Sequence, residues 1–140
     1  MITENVRRWL IKAIEDWKVI VHEMKLTQEE VATSAVCFHC QQFMEKVLKA
    51  YLTLKKVDFG KTHNLEFLLE LCKRYDPDFG QIDPGNLTFY AVAIRYPDEF
   101  YLPSFDEAKE SYEIVYGFKG FVEKKLDVQF DTLIQEYKSD

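Results

Sequence analysis

Five polar residues on one short stretch carry the richest chemistry of this chain. In Ser34 to Tyr51, SAVCFHCQQFMEKVLKAY, the residues Gln41, Gln42, Glu45, Lys46 and Lys49 interrupt otherwise apolar surroundings. Side chains four apart on a helix stand one above the other. Gln41, Glu45 and Lys49 therefore form a ladder, with Gln42 and Lys46 as a neighbouring rung. Two amides, one carboxylate and two ammonium groups could grip a phosphate-bearing ligand or a partner. They could equally form a solvated edge held by a Glu45–Lys49 pair.

A second candidate is Arg95-Tyr96-Pro97-Asp98. A guanidinium grips phosphate in a planar, bidentate fashion; alternatively Arg95 pairs with Asp98 or Glu45 and fixes a helix end. An imidazole is the side chain suited to proton transfer at physiological pH, so His63 could act as a base if folding brings it near Arg95. Its plainer role is a hydrogen bond to its own loop or to the second helix. Cys37 and Cys40 have the spacing of a metal or redox pair, but lie inside a helical run with no obvious further ligands. They read as core thiols, and no metal, cofactor or catalytic residue is assigned.

The elements that must position these groups follow from periodicity and caps. Val6, Leu10, Ala13, Trp17, Ile20, Val21 and Met24 predict a first helix from Thr3 to Lys25. Thr27 with Glu30 reads as a capping box for a second helix, Gln28 to Lys55. Its apolar face is wider than one stripe, so it should touch neighbours on two sides. Thr62 with Glu66 predicts a third helix, His63 to Tyr75, ended by Asp76-Pro77. Leu87 to Tyr96 reads as a fourth, stopped by Pro97. Ser104 with Glu107 opens a fifth to about Leu126, with Gly117 and Gly120 as weak points; Asp127 to Asp140 either extends it or forms a separate piece. The aromatic set Trp9, Trp17, Tyr112, Tyr116, Phe118 and Phe121 reads as core or dimer interface.

The totals agree. A chain of 140 residues, 47% hydrophobic and 30% charged, is one globular domain over 1–140. The net charge of −6 argues against bulk binding to DNA or RNA. No run is long and apolar enough for a bilayer, and Arg7 and Arg8 interrupt any signal-peptide core. Three cysteines without secreted-scaffold spacing point to reduced thiols in the cytoplasm. The expected fold is all-α: an up-and-down four-helix bundle with an additional short helix.

In combination, four segments carry a resemblance: RRWLIKAIEDW, CFHCQQFMEKVLKAYL, THNLEFLLELC and IRYPDE. The chain resembles HEPN domains, the helical domains named for higher eukaryotes and prokaryotes and for nucleotide binding, over about Thr3 to Leu126. The resemblance implies a helical bundle that commonly dimerises. It also implies either a metal-independent ribonuclease, a partner of a separate minimal nucleotidyltransferase in a toxin–antitoxin-like pair, or a nucleotide binder. The family's ribonucleases carry an arginine followed four to six residues later by a histidine. No arginine–histidine pair here has that spacing. Arg95 matches the family's arginine, but Phe100 and Tyr101 stand where the histidine belongs. The expectation is therefore a cytoplasmic, homodimeric nucleotide- or partner-binding module beside a minimal nucleotidyltransferase, with RNA not favoured. Its ligand site draws on Arg95, Gln41, Gln42, Glu45, Lys46, Lys49, His63, Tyr96 and Asp98. The alternatives are a ribonuclease with a non-standard base, such as His63, and a purely structural partner subunit.

Overall fold

Thr3 opens the first helix as its sequence predicts. The hydroxyl accepts from the Val6 N–H, and α1 runs over Glu4–Met24 with Val6, Leu10, Ala13, Ile14 and Ile20 buried. The coordinates are a computed structural model, which describes residues 2–93 and 100–139. Arg95, Tyr96 and Asp98 lie outside the described residues.

The second helix begins later than expected. Thr27 and Glu30 do bond to each other, with the Glu30 N–H reaching the Thr27 hydroxyl at 3.3 Å, but they close only a turn. At Ala32 the backbone is extended (φ −83°, ψ 93°) and its N–H donates to Glu23 Oε1 at 2.8 Å. A carboxylate at the end of α1 thus captures the chain there, Val31 drops into the core, and α2 spans Thr33–Leu54. The reversal makes α1 and α2 an antiparallel hairpin, with Glu23 opposite Ala32 at one end and Trp9 beside Lys49 towards the other.

The third helix also starts two residues late. α3 is Leu65–Tyr75, capped by Asn64, whose side chain accepts from the Phe67 N–H at 2.9 Å. Thr62 instead accepts from the Asn64 N–H, and Glu66 accepts from the Thr88 hydroxyl rather than closing a box. An asparagine caps at least as well as a threonine, so the better-placed residue wins. Asp76-Pro77 ends α3 as predicted. A 3-10 turn, Pro77–Gln81, then drives Phe79 between Tyr51 and Phe121, at ring separations of 4.6 and 5.0 Å.

α4 covers Leu87–Ala93. α5, Phe105–Leu126, has the full Ser104–Glu107 capping box and passes through Gly117 and Gly120 without interruption. Asp127 adopts the left-handed conformation (φ 53°), which stops α5, and α6 follows as a separate helix over Phe130–Ser139. The described residues are thus all-helical, with no strand, and pack as a helical bundle. α2 is its central member, touching α1, α3, α4 and α5, as its broad apolar face predicts. At its heart Phe43 meets Trp17, Phe118 and Phe130.

Candidate functional site

The polar ladder of α2 does not face bulk solvent. Gln41, Glu45 and Lys49 are 0%, 4% and 6% exposed. Glu45 is the hub. Its Oε1 accepts from Gln41 Nε2 at 2.9 Å and lies 2.9 Å from His63 Nδ1; its Oε2 accepts from Lys49 Nζ at 3.0 Å. Gln41 Nε2 also donates to the His63 carbonyl at 3.1 Å, and Gln42 Nε2 donates to Gln41 Oε1 at 2.7 Å. The Lys49 ammonium lies 5.6 Å from the ring centres of both Trp9 and Phe59.

The electrostatics follow from this geometry. Burial alone pushes the Glu45 carboxyl up, but hydrogen bonds from Gln41, His63 and Lys49 outweigh it and hold the group below the usual range. A buried ammonium is tolerated because it has a carboxylate and two aromatic faces around it.

A second network lies one helical face away and contains a residue not singled out from the sequence. Asp16, buried within the apolar face of α1, accepts from Lys46 Nζ at 2.7 Å and lies 2.7 Å from His39 Nδ1. Its signal was available: Asp16 falls three residues after Ala13 and four before Ile20, on the face that meets α2. An acid in that position needs a cation across the interface. The rung Gln42–Lys46 is therefore split, with Gln42 in the Glu45 network and Lys46 in that of Asp16.

A family model described as HEPN domain matches residues 6–125. The chain belongs to the HEPN family. No curated protein and no solved structure matched the chain. Membership supports a nucleotide- or RNA-related module. No helix among the described residues is long and apolar enough to cross a membrane.

Within this HEPN chain, the structure joins Gln41, Gln42, Glu45, Lys49 and His63 and sets Lys46 beside them with a different partner. The histidine is the outward-facing member. His63 presents Nδ1 to Glu45 while its side chain remains half exposed, so Nε2 is left for another group. Carboxylate-oriented imidazole is the arrangement of a positioned acid or base.

The residues on either side of 94–99 are tied to one carboxylate. Glu107 accepts from the Tyr90 hydroxyl at 2.8 Å, the Tyr101 hydroxyl at 2.6 Å and the Ser104 N–H at 3.0 Å. Those bonds, the one from Tyr101 first, hold Glu107 below its ordinary range. The same carboxylate raises both phenols, Tyr101 chiefly through the hydrogen bond and Tyr90 after burial.

The cysteines are buried thiols. Burial pushes Cys37 up to about 11 and Cys72 to about 12, and Cys40 also rises. Thiols rather than thiolates stand there at neutral pH, which suits packing better than metal binding. Among the described residues no group of three or more metal-ligating side chains occurs.

Proposed function

We propose that this HEPN chain is a nucleotide- or partner-binding module that homodimerises and works beside a separately encoded minimal nucleotidyltransferase. The observation that carries the ligand reading is the Glu45 network. Burying a carboxylate, an ammonium and the Gln41 amide adds little net stability. It does hold His63 and Gln42 rigidly at the rim of a polar patch, as a recognition surface requires. In this reading Arg95 grips the phosphate. Lys46 adds positive potential, Gln42 and His63 supply hydrogen bonds, and Gln41, Glu45 and Lys49 fix their positions. Tyr96 and Asp98 flank the arginine.

Dimerisation has its own support. Phe100 and Leu102 are 81% and 67% exposed, and Phe89 and Val92 on α4 are also exposed. Apolar side chains left in water at these four nearby positions support a surface that a second copy would cover.

Calorimetric titration with nucleoside mono-, di- and triphosphates tests the ligand reading. The parent protein binds at least one of them, and Arg95→Ala weakens binding while leaving helicity unchanged. Absence of any binding by the parent sinks it.

The Glu45–His63 contact favours one second reading, a metal-independent ribonuclease. His63 Nε2 would take the proton of a ribose 2′-hydroxyl and the freed oxygen would attack the adjacent phosphorus. The 5′-oxygen would then leave with a proton taken from solvent to give a cyclic phosphate, with Arg95 stabilising the charge. Cleavage of mixed RNA in the presence of chelator, lost in both His63→Ala and Arg95→Ala, would favour this reading over the binding module.

A further inference from the structure

The first turns of α1 and the last turn of α2 enclose an open cleft of about 390 Å³ lined by Asn5, Arg8, Trp9, Lys12 and Thr53. Its volume falls within the range of small-molecule sites. The Glu107 carboxylate lies towards the other end of α2, where Ser111 at the start of α5 meets Cys37.

Three observations give the cleft a ligand chemistry. First, its charge runs against that of the chain. The whole protein carries −6, yet this lining holds two cations and no carboxylate. Arg8 and Lys12 stand one helical turn apart, so their head groups can converge on one anion. Their present partners are weak: Arg8 meets Glu4 at 3.3 Å and Lys12 meets Glu15 at 3.9 Å, all largely solvent-exposed. Such pairs contribute little, and a phosphate offers the guanidinium a stronger, bidentate partner.

Second, the wall is an indole whose orientation is fixed. Trp9 packs edge-on against Phe59 at 6.2 Å and carries the buried Lys49 ammonium over its ring. A planar ring entering the cleft meets an ordered aromatic surface on which it can stack. Third, the remaining lining is neutral and hydrogen-bonding. Thr53 already donates its hydroxyl proton to the Lys49 carbonyl at 2.7 Å, so its oxygen can only accept from a ligand. Asn5 can donate or accept.

We infer that the cleft between Asn5, Arg8, Trp9, Lys12 and Thr53 binds a phosphate monoester bearing a planar ring. Arg8 and Lys12 hold the phosphate, Trp9 contacts the ring, and Asn5 and Thr53 read its polar edge. The lining shares no residue with the nucleotide reading above; Lys49 of that reading only packs behind Trp9.

The test follows the Trp9 indole N–H resonance. The chain has two tryptophans, so Trp17→Phe assigns the signal. The full-length protein is titrated with AMP, with adenosine and with inorganic phosphate. AMP is expected to shift the Trp9 signal saturably and more tightly than either fragment. The double variant Arg8→Gln/Lys12→Gln is expected to weaken AMP binding about tenfold or more. Both changed side chains are exposed, and an unaltered thermal transition verifies the fold. The inference is overturned if AMP leaves the Trp9 signal in place, if the double variant binds as the parent does, or if adenosine alone matches AMP. An Arg95-dependent calorimetric signal without any Trp9 shift would count against this cleft alone. A Trp9 shift in a protein whose AMP affinity ignores Arg95→Ala would count against the other reading alone.

Discussion

Glu45 is the residue on which most of the polar chemistry converges, and its protonation is the sharpest handle on it. Because its folded-state pKa lies below the ordinary value of 4.5, its contribution to stability is fully present above that value. It is lost as pH falls through the lowered folded value. Replacing it by Gln leaves the Lys49 ammonium buried without a counter-charge, which should cost about 2–4 kcal/mol near neutrality. Urea unfolding of parent and Glu45→Gln should therefore give midpoints well apart at pH 7 that converge as the pH falls through the lowered folded value. A constant gap down to pH 2 would mean that the pairing with Lys49 and His63 is not what stabilises the carboxylate. The ladder itself was legible in the sequence, because spacing by four is enough to stack Gln41, Glu45 and Lys49. That it is buried was not, since burial depends on Trp9, Phe59 and His63, which arrive from other elements.

At the scale of elements, caps divide into those that start helices and those that only resemble starts. Ser104 is a working cap with both bonds of its box, so Ser104→Ala should destabilise the protein by about 1 kcal/mol. Thr27 has the same sequence signature but sits six residues before α2 begins, closing an exposed turn. Thr27→Ala should stay within about 0.5 kcal/mol of the parent in the same denaturant titration. The two motifs are indistinguishable as strings. What separates them is Glu23, which holds the Ala32 N–H and postpones the helix. Gly85 shows a similar dependence on a distant neighbour. Its φ is +54°, and a Cβ there would stand 2.9 Å from Ile114 Cδ1 on α5. Gly85→Ala should therefore lower stability by about 1–2 kcal/mol, read as a reduced thermal midpoint.

At the scale of the whole molecule, the C-terminal helix is part of the core rather than an appendage. Phe130 is 1% exposed and packs edge-on to Phe43 at 6.1 Å. Phe130→Ala should cost about 3–4 kcal/mol in chemical unfolding, as large core truncations do. A change under about 1 kcal/mol would place α6 outside the cooperative unit. For the proposed dimer, sedimentation should give twice the chain mass for the parent. Phe100→Ser/Leu102→Ser should sediment as the monomer.

The amino-acid sequence by itself determined the helical class, the family, the positions of most helices and the identity of the polar stripe. These rest on short-range physics: periodicity of apolar residues, proline and capping chemistry within a few positions. Tertiary structure alone decided which polar groups are satisfied and by whom. Lys49 belongs to Glu45, Lys46 to Asp16, and His63 is turned to the surface by a carboxylate eighteen residues away. Pair energies between buried charges depend on distance and desolvation, and both are fixed only when separate helices pack together.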